Sequence, residues 1–401
     1  MEINTVKRIG SNELKYVTEV LSTEFRSSSG ATFMRRFEEK FTDIFDIKYG
    51  ISFVNGTATM HAALEALGIG VGDEVIVPPL TMSATTFAVL QANATPIFAD
   101  VNSDTFQIDP NSIEKLITPN TKAIITVALY GLCPDMDPII SLAKKNGIFI
   151  IEDNAECFLG KYKNQLVGTL GDCASFSFQS SKHLTSGEGG IIITKNSEFA
   201  TNIRRVQSLG YAGVSASKAK ITKKDIQDPN YLRHVSMGWN YRMPELCCAV
   251  ALAQVENIDR LVSQRVKVAQ IFHDATCDFH TWFTPQVVGP EYTHSYWTWV
   301  CKLRNNDISW HEIRDSFCNS GGDGIYAAWQ LTYLEPMFKD LNLLNREKFI
   351  DKKILKNYRQ GICPIAESIQ SKLFQFKTNY WNIKDAEVQA ELLRNTLKKF
   401  H

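Results

Sequence analysis

Between Asp73 and Thr194 the chain alternates short, nearly continuous apolar runs with longer segments of mixed character. The runs are Glu74 to Val77, Pro96 to Ala99, Ala123 to Val127, Ile148 to Ile151 and Gly190 to Ile193. A strand with one wet face alternates apolar and polar positions. These runs do not, so each reads as a strand covered on both faces, the pattern of a mostly parallel sheet. The segments between fit crossover helices: Met60, Ala63, Leu64 and Leu67 recur at helical spacing, as do Ile139, Ile140, Leu142 and Ala143. The pattern predicts an α/β core. After Tyr241 it changes, with an Ala-rich helix over Glu245 to Asn257 and an amphipathic stretch to Phe272. A strand-like Trp297 to Val300 and a final helix from about Asp385 to Phe400 follow. A boundary near residue 255 divides a large domain with an N-terminal helical segment, 1–255, from a smaller C-terminal α+β domain, 256–401.

Composition narrows the classes. A chain of 401 residues exceeds one minimal core, and 44% hydrophobic with 21% charged residues is ordinary for a soluble globular protein. Lys plus Arg and Asp plus Glu both total 43, so the net charge is zero. A generic nucleic-acid binder or a polybasic membrane-surface protein needs a positive excess, and neither is expected. Apolar stretches such as Ala123 to Leu132 fall short of the roughly 20 residues that cross a bilayer. Met1 to Gly10 shows no apolar leader core or small-residue cleavage site, which makes the cytoplasm the expected location. The nine cysteines are scattered with no C-x-x-C pair, so buried free thiols are expected rather than a disulfide framework or a metal site.

Three segments carry candidate chemistry. Asn55-Gly56-Thr57-Ala58-Thr59 stands between a strand ending at Val54 and a helix starting near Ala58. Free N–H groups at a helix N-terminus, beside a hydroxyl and a glycine, can cradle a phosphate; the plainer alternative is a capped helix after a tight turn. In Ile151-Glu152-Asp153-Asn154-Ala155-Glu156, acids close an apolar strand. Ligands of open α/β sheets sit beyond the carboxyl ends of strands, although an Asp there also serves as a helix N-cap. In the third, Phe176-Ser177-Phe178 leads into a loop rich in hydroxyls that carries Lys182, and Gly187-Glu188-Gly189-Gly190 returns to a strand. A lysine desolvated between apolar strands can act as a nucleophilic amine toward a carbonyl. Together the segments supply what pyridoxal 5′-phosphate requires: an amine, a carboxylate that keeps the pyridine nitrogen protonated, and a phosphate cradle.

These residues resemble the DegT/StrS-type sugar aminotransferases, pyridoxal-phosphate enzymes of fold type I. The likeness runs in order through Gly56-Thr57-Ala58, Gly72 to Pro78, Thr95 to Asp100, Thr121 to Ile124, Glu152-Asp153, Phe176 to Phe178 with Lys182, Gly187 to Gly190, and Asn240-Tyr241-Arg242-Met243. The resemblance implies that Lys182 carries the cofactor and moves the proton, that Asp153 faces the pyridine nitrogen, and that Glu156 lies near the cofactor's 3′ oxygen. It implies a phosphate cradle of Gly56, Thr57, Ala58 and Ser177, completed by Asn240 of a second subunit, and hence a homodimer with shared sites. Met82 stands where the family places an aromatic residue over the ring, and a thioether can still pack on an aromatic face. Tyr130, His183 and His294 are candidate substrate contacts, with packing as the alternative for each histidine.

The implied activity is amino transfer from an amino acid, L-glutamate, to a keto sugar. The acceptor expected is a nucleotide-linked 3- or 4-keto hexose used in capsule, lipopolysaccharide or secondary-metabolite synthesis. Gly324 to Gln330 lacks the Pro-Leu-His pattern of many such enzymes, which leaves open a keto-cyclitol or a small phosphorylated ketone such as dihydroxyacetone phosphate. A branch of the family replaces the lysine by histidine and dehydrates its sugar. A dehydratase or a cofactor-binding regulator is therefore the contrasting class, and Lys182 in the lysine position favours the transaminase.

Overall fold

The computed structural model describes residues 6–25, 32–219 and 221–400. Met1 to Thr5, the start of the segment without an apolar leader core, lie outside the described residues. The apolar runs form β1 (Tyr49–Phe53), β2 (Glu74–Val77), β3 (Thr95–Phe98), β4 (Thr121–Val127), β5 (Phe149–Asp153), β6 (Cys173–Ser177) and β7 (Gly190–Thr194). They pair as one sheet in the spatial order β1, β7, β6, β5, β4, β2, β3. From β6 to β3 every pair is parallel, whereas β7 runs antiparallel to both β6 and β1. The reversal follows from the connection: the loop bearing Lys182 turns the chain straight back, where a parallel pairing would need a crossover helix.

Burial on both faces explains the continuous apolar runs. Val75, Val77, Ile125, Ile151 and Ile192 join a core with helices Gly56–Ala66, Ala84–Gln91 and Ser197–Gln207. Their neighbours Ile76, Ile124 and Ile150 face helix Met136–Asn146, and Phe176, Ile191 and Ile193 face helices Thr32–Phe45 and Glu245–Val255. The crossovers end as their residues dictate; Gly147, at φ 66°, adopts the left-handed conformation that closes Met136–Asn146 before β5.

A second, antiparallel sheet has the order β8 (Phe283–Pro285), β9 (Thr298–Leu303), β11 (Leu373–Lys377), β10 (Tyr326–Ala327). Helices Trp310–Asn319 and Ile383–Leu397 cover it. Packing crosses position 255 twice. Helix Ile258–Thr276 puts Ile258, Leu261 and Val262 into the large core and Val268, Ala269 and Phe272 into the small one. Residues from Ala328 to Leu373 then return to the first core, where the Tyr358 hydroxyl donates to Pro96 O at 2.7 Å. Among the described residues no helix is long and apolar enough to cross a membrane.

Candidate active site

The carboxyl ends of β1, β4, β5 and β6 open into a cavity of about 590 Å³. Gly56, Thr57, Met82, Asp153, Glu156, Ser177 and Lys182 line it from the large sheet. Trp297, Tyr326, Trp329, Gln375, Lys377 and Asn379 line it from the small one. On β11, strand alternation turns Gln375 and Lys377 to the cavity and Phe374 and Phe376 to the small core.

Asp153 is the last residue of β5 and is buried. Its carboxylate accepts the Thr85 hydroxyl at 2.8 Å and the Ala155 N–H at 3.2 Å. Burial raises its pKa; the Thr85 and Ala155 hydrogen bonds and the charge of Lys182 oppose that rise. Such a carboxylate calls for a cationic or proton-bearing partner in the cavity.

Lys182 enters from the β6–β7 loop as an ion-paired amine. Its Nζ donates to Glu156 Oε1 at 3.1 Å and stands 4.4 Å from the centre of the Trp297 ring. Glu156 Oε2 accepts the Tyr130 N–H at 3.0 Å, and burial raises the Glu156 pKa against the pull of Lys182. Amine and carboxylate are thus brought together with an aromatic face over the nitrogen.

At the cradle, Asn55 caps helix Gly56–Ala66 by accepting the Ala58 N–H at 2.8 Å. The N–H groups of Gly56 and Thr57, in the first turn, have no acceptor within the helix and border the cavity. Ser177 Oγ accepts from Gln179 N at 3.3 Å and keeps its proton to donate. A side chain at Gly56 would put its Cβ 3.1 Å from Ser177 Cβ, and one at Gly190 would come within 2.6 Å of the Asn55 backbone. Glycine at both positions lets the strand ends close on the turn. Ala58, expected in the cradle, donates its N–H to the Asn55 cap, and its buried side chain is not among the residues that line the cavity.

Asn240 is exposed and does not line the cavity of its own chain. Its neighbours hold it outward: Trp239 and Tyr241 stack at 5.8 Å, and they bond to Glu65 and His61 respectively on helix Gly56–Ala66.

Tyr130, His183 and His294, the candidate substrate contacts, are not among the residues that line the cavity. Tyr130 is fully buried and stacks on the Trp329 ring at 6.5 Å. His183 is fully buried against Phe158, its Nε2 donating to Ser295 O at 2.9 Å. His294 accepts the Tyr296 N–H at Nδ1, donates from Nε2 to Gln286 Oε1, and stacks on the Tyr296 ring at 3.7 Å. Burial depresses both histidines, His294 to about 3, so each is neutral and serves packing.

Trp297, Trp329 and Arg265 also line the cavity and Thr85 bonds to Asp153, although the sequence did not mark these four as site residues. Only Trp329 carried a signal, as the aromatic residue in the segment that lacks the Pro-Leu-His pattern.

The residues present fit pyridoxal 5′-phosphate: unspent helix N–H groups and a serine hydroxyl for its phosphate, a buried carboxylate for its pyridine nitrogen, and an amine for its aldehyde. A profile of the DegT/DnrJ/EryC1/StrS aminotransferase family matches residues 7–351. The chain is 37% identical over 297 residues to the GDP-perosamine synthase of Caulobacter vibrioides, covering 74% of this chain and 76% of that one. It is 40% identical over 260 residues to the GDP-perosamine synthase of Escherichia coli O157:H7, covering 65% and 67%. The solved aminotransferase of Psychrobacter cryohalolentis is 26% identical with a TM-score of 0.85, over 99% of this chain and 98% of that one.

Proposed function

The chain belongs to the DegT/DnrJ/EryC1/StrS aminotransferase family, and on that premise we propose that it moves an amino group from L-glutamate to a nucleotide-linked 3- or 4-keto hexose. It is a transaminase that uses pyridoxal 5′-phosphate. The observation that carries the reading is the opening of Lys182, Asp153 and the Gly56–Thr57–Ser177 cradle into one cavity. The name shared by two relatives, GDP-perosamine synthase, denotes a nucleotide-linked product and supports a nucleotide-linked acceptor here.

When bound, the cofactor supplies the electron sink that lets the substrate Cα–H bond break. Lys182 Nζ accepts that proton and returns one in the second half-reaction. Glu156, 3.1 Å from the amine, orients it. Asp153, held by Thr85, would supply the negative charge that keeps the pyridine nitrogen protonated. Gly56, Thr57 and Ser177 would bind the phosphate, and the indole of Trp297 lies over the amine. Trp329, Tyr326 and Lys377 line the cavity and would face the acceptor.

The active form proposed is a cytoplasmic homodimer in which Asn240 of each subunit completes its neighbour's cradle. Exposed Leu232, Val235 and Met237 beside Asn240 give that contact an apolar patch.

The test is a half-reaction followed by an acceptor panel. The loaded protein should release 2-oxoglutarate from L-glutamate and then aminate a nucleotide-linked keto hexose in preference to keto-cyclitols and dihydroxyacetone phosphate. Lys182→Ala should lower turnover by at least about 10³-fold. Unimpaired turnover in that variant, or a preference for the non-nucleotide ketones, would sink the assignment.

A further inference from the structure

Two guanidinium groups meet on the backbone that carries Lys182. Arg8 donates to Ser180 O and Lys182 O, both at 2.8 Å. Arg265, buried in the middle of helix Ile258–Thr276, donates through Nη2 to Ser181 O and Lys182 O, both at 2.9 Å. Its Nη1 reaches the small domain, at Trp297 O (2.9 Å) and Thr378 Oγ1 (3.3 Å). The Trp297 indole N–H also donates to Ser181 O at 3.0 Å. Among the described residues neither arginine has a carboxylate partner. Both instead lie near the Trp381 ring, at 5.6 Å and 6.0 Å.

We propose that Arg8 and Arg265 are positioning residues that clamp the carbonyls of Ser180, Ser181 and Lys182, and that Arg265 ties the reach of Lys182 to the small-domain wall at Trp297. The loop lies between β6 and β7 with no ladder to hold these carbonyls. A guanidinium offers several donors in a rigid plane, so one side chain fixes successive acceptors that a single ammonium cannot span. Arg265 sits where its helix passes from one core to the other, and its two nitrogens bond to the two sides. Burial and the charge of Arg8 push the Arg265 guanidinium down to about 9. Two like charges without an anion oppose each other, so neutralising one relieves repulsion and separates lost positioning from lost folding.

The inference rests on Lys182 as the lysine that carries the cofactor, which borohydride reduction of the loaded protein and peptide mapping test separately. Arg8→Gln, Arg265→Met and Arg265→Lys are compared with the parent by thermal melting, by hydrogen exchange of the Ser181 and Lys182 amides without cofactor, and by kinetics of both half-reactions. In Arg8→Gln and Arg265→Met, exchange should rise and kcat fall by about tenfold each, with KM for donor and acceptor within about twofold, and Arg265→Lys should recover only part. Unchanged exchange and kcat in folded Arg8→Gln and Arg265→Met would overturn the clamp. Full recovery by Arg265→Lys would also overturn it, because charge alone would then suffice. A raised donor KM with unchanged exchange would overturn it in favour of Arg265 as a carboxylate site. A linkage mapped to another lysine would sink the functional reading and the clamp's role with it, whereas unchanged exchange with the linkage on Lys182 sinks the clamp alone.

Discussion

Lys182 Nζ stands 3.1 Å from Glu156 Oε1, with the lysine side chain 12% and the glutamate side chain 5% exposed. Removing one member of such a pair strands the other in a poorly solvated site. In cofactor-free protein, Glu156→Ala should therefore lower unfolding stability by about 3 kcal/mol. Glu156→Gln should cost about half as much, since an amide oxygen can still accept the Tyr130 N–H. Urea unfolding of the two variants checks this, and equal losses would show that the bond to the Tyr130 N–H contributes nothing beyond the lost charge.

Thr85 and Asp153 form the second coupled pair. Burial raises the Asp153 pKa, and the Thr85 hydroxyl works against that rise by stabilising the ionised form. The carboxylate must be ionised to hold the cofactor's ring protonated. Thr85→Val removes a donor from the charged form, so the carboxyl pKa rises further and the acid limb of the kcat profile moves to higher pH. A shift of about one pH unit is expected, with the plateau within about threefold of the parent. An acid limb that stays in place or moves to lower pH refutes the role of Thr85.

The sheet was readable because burial on both faces writes itself as unbroken apolar runs; Glu74 to Val77 and Ala123 to Val127 are strands where that pattern put them. Direction was not readable, since Gly190 to Thr194 is as apolar as its parallel neighbours yet runs the other way. Lys182, Asp153 and Thr57 could be found because each ends or follows a strand near in sequence. Arg265, Trp297 and Thr85 could not, because folding alone brings the first two to the same cavity and the third to the Asp153 carboxylate. His183 and His294 are residue types suited to catalysis, but His183 Nε2 and both ring nitrogens of His294 bond to protein groups, which residue type alone does not reveal. The return of Ala328 to Leu373 to the first core left no local signal, because an apolar face does not say which core will cover it.

His294 gives the fold a pH dependence of known sign. Its pKa is depressed from 6.5 to about 3 by burial, so the unfolded chain binds a proton that the folded chain refuses across that window. Stability is therefore fully present above about pH 6.5 and falls as pH drops toward 3, by about 1.4 kcal/mol per pH unit for this group. His294→Gln removes the titration, so its stability should decline less between pH 7 and pH 5, by about 2 kcal/mol. Parallel curves for parent and variant from denaturant titrations at those pH values would contradict a neutral buried imidazole.

Met82 tests how much an aromatic partner contributes over the cofactor ring. It lines the cavity with half its surface exposed, in the position where the resemblance leads one to expect an aromatic side chain. A flexible thioether makes a polarisable contact with a ring but holds it less firmly than a stacked aromatic group. Met82→Ala should weaken pyridoxal-phosphate binding by about threefold to tenfold, and Met82→Phe should tighten it by a similar factor. Equilibrium dialysis of the cofactor-free proteins measures both. The argument needs the two variants to move in opposite directions, since a phenylalanine that weakens binding would mean that the space above the ring is shaped for the narrower thioether.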